Sequence, residues 1–385
     1  MRGQQQSRTP LLSGSIPGVD KPASRIIYGT LFLHNLPSEE DAFLLLDGVW
    51  AAGCNALDCA AIYGGGVCEQ RVGAWLRSRS IPRDEIVLIS KGGCEGQDKL
   101  WCATIADHTH MRSEISNSLR RLGVDYIDCY LLHRDDPSLP VGQIVRFMDE
   151  MCSSGMIKTW GVSNWQKSRL QAALEHAERH GLRPPVADSP QNSLAEPSRA
   201  VWPNTAFMSP SKREEWLEAT SGNVALLGWE CLAKGFMCGK WTRADGEFTP
   251  EDDVLLSEAS APRWRELQLR IAYCNKENFD RRDRALVIAR EKGVALPEVA
   301  LGYVLSQHPR SFALVGTTSL SHFEQNARAA AVDSVVATLT PEELRYLEMG
   351  APRPAVASAC DGKRRRAPLR RTAAVAALAA ALAAG

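Results

Sequence analysis

Residues 118–137 read SLRRLGVDYIDCYLLHRDDP. A helical stretch stops at Gly123, an apolar run follows from Ile127, and the run ends on His133 and a charged loop. Upstream, Met111, Ile115, Leu119 and Leu122 recur at helical spacing, which predicts an amphipathic helix that Gly123 terminates. Helix, glycine, buried strand and polar loop make one unit. The fold depends on how often the chain repeats it.

Apolar runs of the same kind recur as "IIYG" near 26, "ALDC" near 56, "IVLIS" near 86, "IDCYLL" near 127, "IKTWGV" near 157, "PVADS" near 185, "VALLGW" near 224 and "FALVG" near 312. Most intervals are about 30 to 40 residues, the length consumed by one strand, one crossover helix and two loops. The segments between them carry helix ends. Ser38 is placed as an N-cap with Asp41 three residues on, Gly53 closes that helix, and Thr340, Pro341 and Glu343 form a capping box. Eight alternations of continuous apolar strands with helices predict a parallel sheet closed on itself, a single-domain (β/α)8 TIM barrel over residues 25–350. An open doubly wound sheet is the alternative, disfavoured because no GxGxxG follows the first strand. The gap from 230 to 311 exceeds one loop and one helix. There "KWTRADGEFTPEDDVLLSEASAPRW" (240–264) marks a long insertion after strand 7 that holds more than one helix.

The two ends differ from this body. "MRGQQQSRTPLLSGS" has two arginines and no acid before Asp20, so residues 1–24 read as a mobile leader, with a targeting peptide as the lesser reading. "GKRRRAPLRRTAAVAALAAALAAG" joins a basic cluster to an Ala-rich stretch, and residues 351–385 read as a disordered tail. From Thr372 onward it would span about 21 Å as a helix, short of the roughly 30 Å hydrocarbon core, so stable membrane insertion is not expected. The balance of 45 basic and 45 acidic residues supplies no global field toward nucleic acid. Eleven cysteines without CxxC pairs or a secretory signal suit a reducing, cytoplasmic setting and no metal centre, with organelle targeting as the other possibility.

Active sites of closed parallel barrels gather at the C-terminal ends of the strands. The second strand ends at Asp58 with Tyr63 in its loop, the third at Lys91 and the fourth at His133. A phenol of pKa about 10 is a poor acid at neutral pH, but a neighbouring ammonium favours its ionised form and lowers that pKa, while a carboxylate holds the ammonium. A histidine beside them orients a carbonyl oxygen. The set predicts general acid catalysis by Tyr63. Trp101 and Trp202, in the loops, are candidates for an apolar pocket wall.

Taken together, these motifs resemble the aldo-keto reductase superfamily over roughly residues 25–348. "LDCAAIYGGG", "LISKGG", "SLRRLGVDYIDCYLLHRDDP", "GMIKTWGVSNW" and "WECLAKGFMCGKW" carry the resemblance, in order. "SPQ" and "ENFDRRDRA" are similar to wording in a bacterial-type branch. The resemblance implies that Asp58, Tyr63, Lys91 and His133 are the catalytic tetrad and that the reaction is hydride transfer from NADPH, or NADH, to an aldehyde or ketone. It further implies cofactor contacts at Gly29 and Thr30, Ser163 and Asn164, Trp229, Leu232, Lys234 and Lys240, with Asp58 close by. Gly316, Thr318, His322, Gln325 and Asn326 correspond to the adenosine-phosphate and adenine contacts. "VGTTSLSHFEQNA" there runs into a helix N-terminus whose free N–H groups suit a phosphate.

Three departures stand out. Thr318 occupies a position where many relatives carry Arg or Lys for the adenosine 2′-phosphate, which weakens the expected preference for NADPH. Glu230 replaces a common Ser beside the pyrophosphate and would repel it unless it turns away or pairs with Lys234. Ser189 stands where relatives usually show Gln, and Gln191 lies two residues on; either is a candidate for the nicotinamide amide. An alternative function, drawn from the same superfamily, is a cofactor-binding regulatory subunit like the potassium-channel β subunits. Those tend to replace the catalytic His, which this chain keeps as His133.

Overall fold

The computed structural model describes residues 10–95, 102–248 and 261–352. Among them, eight parallel strands close a barrel in chain order: β1 (Ile26–Gly29), β2 (Ala56–Asp58), β3 (Val87–Gly92), β4 (Ile127–Leu132), β5 (Ile157–Ser163), β6 (Ala187–Ser189), β7 (Ala225–Gly228) and β8 (Ser311–Val315). These are the eight apolar runs read from the sequence. Their residues alternate between two cores, as the two-residue repeat of a strand requires. Ile27, Val87, Ile89, Leu131, Leu227 and Phe312 fill the interior, while Ile26, Leu57, Leu88, Tyr130 and Leu226 pack beneath the helices.

Helices α1 (Glu39–Ala51), α2 (Val67–Ser78), α3 (His108–Leu122), α4 (Val141–Ser153), α5 (Lys167–His180) and α6 (Pro210–Thr220) follow the first six strands. The capping residues act as read. Ser38 Oγ accepts from Asp41 N at 3.1 Å, and Gly123 ends α3 in the left-handed conformation at φ 68°. On α3, Ser118 is fully buried beside Met111, Ile115 and Leu122, whereas Leu119 is only half-buried. The insertion after β7 contributes α7 (Ala261–Tyr273), α8 (Lys276–Lys292) and α9 (Leu296–Leu305); its residues 249–260 lie outside the described residues. After β8 come α10 (Leu320–Ala327) and α11 (Pro341–Met349), the latter with its Thr340–Glu343 capping box formed.

One expectation is corrected. The segment read as a mobile leader is, over residues 10–24, part of the fold. Ser13–Gly14 pairs antiparallel with Ala23–Ser24, and Ile16 and Ala23 are buried in the interior core at the N-terminal end of the barrel. Leu12 N donates to Ala330 O at 2.7 Å, and the Lys21 ammonium lies 2.9 Å from Asp128. A barrel needs its open bottom covered, and Ile16 does this. Residues 1–9 and the predicted tail from 353 on lie outside the described residues. Among the described residues, no helix is long and apolar enough to cross a membrane, and no cluster of His, Cys, Asp and Glu could hold a metal ion.

Candidate active site

The C-terminal ends of the strands surround a cavity of about 720 Å³. This lies within the roughly 300–1,000 Å³ range of small-molecule sites. Register sets its rim: Gly29 pairs with Asp58 and Lys91 with Leu131, so the last residues of β1 to β4 end close together. Asp58, Tyr63, Lys91 and His133 all line the cavity.

They touch. Lys91 Nζ lies 2.5 Å from Asp58 Oδ2, 3.1 Å from the Tyr63 hydroxyl and 3.1 Å from the Cys59 carbonyl, so its three donors are all engaged. The His133 ring stands edge-on to Tyr63 with centroids 5.9 Å apart. Tyr63 reaches its position through "YGGG", where Gly64 and Gly65 take left-handed conformations at φ 58° and 62°. A side chain at Gly64 would strike His34, with its Cβ 2.6 Å from the His34 Cβ.

Burial dominates the electrostatics. It raises the Asp58 carboxyl against the pull of Lys91. For Lys91, burial acts downward, but the attraction of Asp58 and Tyr63 together outweighs it and holds the ammonium above its ordinary value. Burial raises Tyr63 too, and Lys91 only partly offsets that. The sequence reading expected the ammonium to bring the phenol below its usual pKa. Its pull has that sign, yet desolvation is larger, so the phenol keeps its proton at neutral pH. His133 is driven well below its usual value by burial, then by the charges of Lys91 and Arg134, and is neutral.

The cavity continues past the tetrad. Gly29, Ser163, Asn164, Trp229, Leu232, Lys234, Gly316, His322, Gln325 and Asn326 line it as well. The Ser163 Oγ donates to Ser189 O at 2.8 Å and accepts from Asn164 Nδ2 at 2.9 Å; Asn164 itself is left-handed at φ 64°. At the far end, Ser319 caps α10, whose first turn carries His322. Gly29 and Gly316 bring bare backbone to the wall, and a Cβ on Gly316 would lie 3.2 Å from Gly29 O and 3.4 Å from the Phe32 ring. This donor set fits a nicotinamide dinucleotide. It has amide and hydroxyl groups mid-cavity beside an indole face, a glycine-lined wall, and the first turn of α10, reached through His322, at whose positive end a phosphate would sit.

Five candidates do not line the cavity. Thr30 is buried and donates to Asp58 O at 3.0 Å, so it braces the rim. Ser189 donates its hydroxyl to Leu227 O, and its carbonyl accepts from Trp229 Nε1 at 3.2 Å. Gln191 is buried and donates to Glu230 and to the Tyr273 hydroxyl. Lys240 is exposed, with its ammonium over the Trp241 ring. Thr318 is exposed, while its neighbour Thr317 lines the wall. Glu230 pairs with Lys234 at 2.7 Å, one of the two arrangements the sequence left open. Trp202 does line the cavity; Trp101 lies outside the described residues. Sequence reasoning missed Phe32 and Arg134. Arg134 had a signal, being the charged residue directly after the rim histidine.

A closed parallel barrel whose mouth joins an amine-bound phenol to a cavity lined by amide, hydroxyl and indole groups fits an oxidoreductase of the nicotinamide-dependent class. The chain belongs to the aldo/keto reductase family, whose sequence model matches residues 25–348. Among similar proteins, a probable voltage-gated potassium channel subunit beta of Oryza sativa subsp. japonica is 27% identical, covering 84% of this chain and 92% of that protein. The aldo-keto reductase str7 of Strobilurus tenacellus is 28% identical over 81% of this chain and 82% of its own. The solved glycerol dehydrogenase of Gluconobacter oxydans shares the fold, with a TM-score of 0.66 at 21% identity, covering 89% of this chain and 98% of that one.

Proposed function

We propose that this chain reduces an aldehyde or ketone to the alcohol, with Tyr63 as the proton donor and NADPH or NADH as the reductant. The bound nicotinamide supplies the hydride. The carrying observation is the contact of Lys91 with both Asp58 and the Tyr63 hydroxyl inside the cavity.

Tyr63 holds a proton at neutral pH because burial keeps its phenol high. As negative charge develops on a carbonyl oxygen within hydrogen-bond reach, the proton moves to it. The phenolate left behind is stabilised by the ammonium 3.1 Å away. Asp58 keeps that ammonium charged and aimed. His133, neutral and edge-on to Tyr63, is read as a hydrogen-bond donor to the same oxygen. Ser163, Asn164 and Trp229 would hold the nicotinamide end, and Lys234 with the start of α10 the phosphates. Thr318 is exposed and off the cavity wall, so it supplies no charged contact to an adenosine 2′-phosphate, and both reduced cofactors are read as usable.

The likeness to potassium-channel β subunits favours a second reading, a cofactor-binding regulatory subunit with little turnover. One experiment separates the two. A panel of aldehydes is assayed by loss of NADPH or NADH absorbance, with cofactor affinity measured in parallel. The expected result is turnover that Tyr63→Phe lowers by about 100- to 10,000-fold while cofactor affinity is retained. Cofactor binding without turnover in the unmodified chain would support the regulatory subunit instead.

A further inference from the structure

Glu230 follows Trp229 just past β7 and has a left-handed backbone at φ 54°, as do Ala233 at 47° and Lys234 at 53°. Non-glycine residues seldom take that conformation, and three within five positions persist only where surrounding contacts over-determine them. Those contacts converge on the Glu230 carboxylate. Oε1 accepts from Trp202 Nε1 at 2.9 Å and lies 2.7 Å from the Lys234 ammonium. Oε2 accepts from Gln191 Nε2 at 3.0 Å and from the Tyr273 hydroxyl at 3.3 Å. Gln191 and Tyr273 are buried, so one half of the carboxylate is anchored in the body of the barrel. The other half engages Trp202 and Lys234, both of which line the cavity. Lys234 also rests over the Trp202 ring at 5.2 Å and the Phe32 ring at 6.0 Å.

We propose that Glu230 is a positioning and specificity-determining residue that couples two neighbouring groups of the cavity wall, fixing the indole of Trp202 while competing with cofactor phosphate for Lys234. This rests on the reading of the cavity as a nicotinamide dinucleotide site. The chemistry follows from sharing one oxygen. An ammonium 2.7 Å from a carboxylate is already largely neutralised, and a phosphate approaching it also meets the charge of Glu230. Loosening Lys234 toward a phosphate leaves Oε1 to the indole N–H alone, so the state of Lys234 is felt at Trp202. A neutral amide at position 230 keeps an acceptor for the indole and removes both the competition and the repulsion.

The test measures dissociation constants of NADPH and NADH by calorimetry and the KM of an aldehyde substrate, for wild type, Glu230→Gln, Trp202→Phe and Lys234→Met. Glu230→Gln is expected to tighten cofactor binding roughly twofold to fivefold, the size of one partly exposed charge contact, with the gain shrinking at high salt. Tighter binding is not what a merely structural defect produces. Trp202→Phe, which keeps a ring but lacks the N–H donor, is expected to raise the aldehyde KM more than it changes kcat. Unchanged or weaker cofactor binding in Glu230→Gln, or an unchanged KM in Trp202→Phe, overturns the coupling. If Glu230→Gln does not fold, Lys234→Met decides: weaker cofactor binding supports the competition, and unchanged binding overturns it. A wild type that binds neither nucleotide overturns the dinucleotide reading and this inference with it, whereas a wild type that binds beside an unresponsive Glu230→Gln overturns this inference alone.

Discussion

At His133 burial and neighbouring charge pull in one direction. The residue is 6% exposed, with Lys91 and Arg134 both opposing its protonation. Its folded pKa lies well below the ordinary value of about 6.5, so the unfolded chain takes up a proton that the native chain refuses. The stability linked to this site is fully present above about pH 6.5 and is lost as pH falls toward the folded pKa, with a slope approaching 1.4 kcal/mol per pH unit. Urea unfolding of wild type and His133→Gln at pH 7, 6 and 5 should therefore show a difference between the two that shifts against wild type as pH drops. A constant difference would mean that the imidazole titrates normally. At this scale the sequence was informative about identity and weak about magnitude. Asp58, Tyr63, Lys91 and His133 were legible because each ends a strand or sits in the loop just past one, and barrel topology brings those ends together. The net rise in the Tyr63 pKa was not, because desolvation is a property of the assembled wall that no local stretch encodes. Thr318 and Lys240, expected at the cofactor, lie off the cavity wall, and at Thr318 it is the neighbour Thr317 that faces inward, a choice made by rotation within the loop.

Among elements, the strands were the most legible part of the chain, because a parallel strand buried on both faces is a continuous apolar run. The paired segments Ser13–Gly14 and Ala23–Ser24 carry no such pattern. Two residues each, with Gly, Ser and Pro around them, they read as leader, and only tertiary contact with the barrel bottom makes them strands. Helix packing holds another feature hidden in sequence. Gly73 lies within α2, where alanine would be the better helix former by roughly 1 kcal/mol. Yet a Cβ there would come 2.3 Å from Arg121 O and 2.6 Å from Leu122 O at the end of α3. Both obstacles are backbone, so no side chain can rotate away, and the two helices would have to separate. Gly73→Ala should lower stability by about 1–3 kcal/mol, despite its helix propensity, as read by the midpoint and m-value of urea unfolding. A stabilised variant would show that the α2–α3 spacing is not set by this contact.

Over the whole molecule, the barrel divides its work between its two ends, with the tetrad and cavity at the C-terminal mouth and a closed seal at the bottom. The seal centres on Asp128, which accepts from Leu88 N at 2.7 Å and is paired with Lys21 at 2.9 Å and Arg83 at 2.7 Å. The Tyr126 ring beside it lies under the cations of Lys21, Arg83 and Lys158. Beside that polar layer, Ile16 is buried in the interior core that also holds Ile27, Val87, Ile89 and Phe312. It is 1% exposed, so truncating it removes buried methyl and methylene groups and leaves a cavity that the rigid strands cannot collapse to fill. Ile16→Ala should therefore cost about 2–5 kcal/mol. Ile16 belongs to the interior core and does not line the cavity at the mouth. Assayed well below its unfolding temperature, the variant should keep the kcat, KM and cofactor affinity of wild type while its thermal midpoint falls. A loss of turnover that tracks the loss of stability would instead mean that the bottom of the barrel sets the spacing of Asp58, Lys91 and Tyr63 at the top.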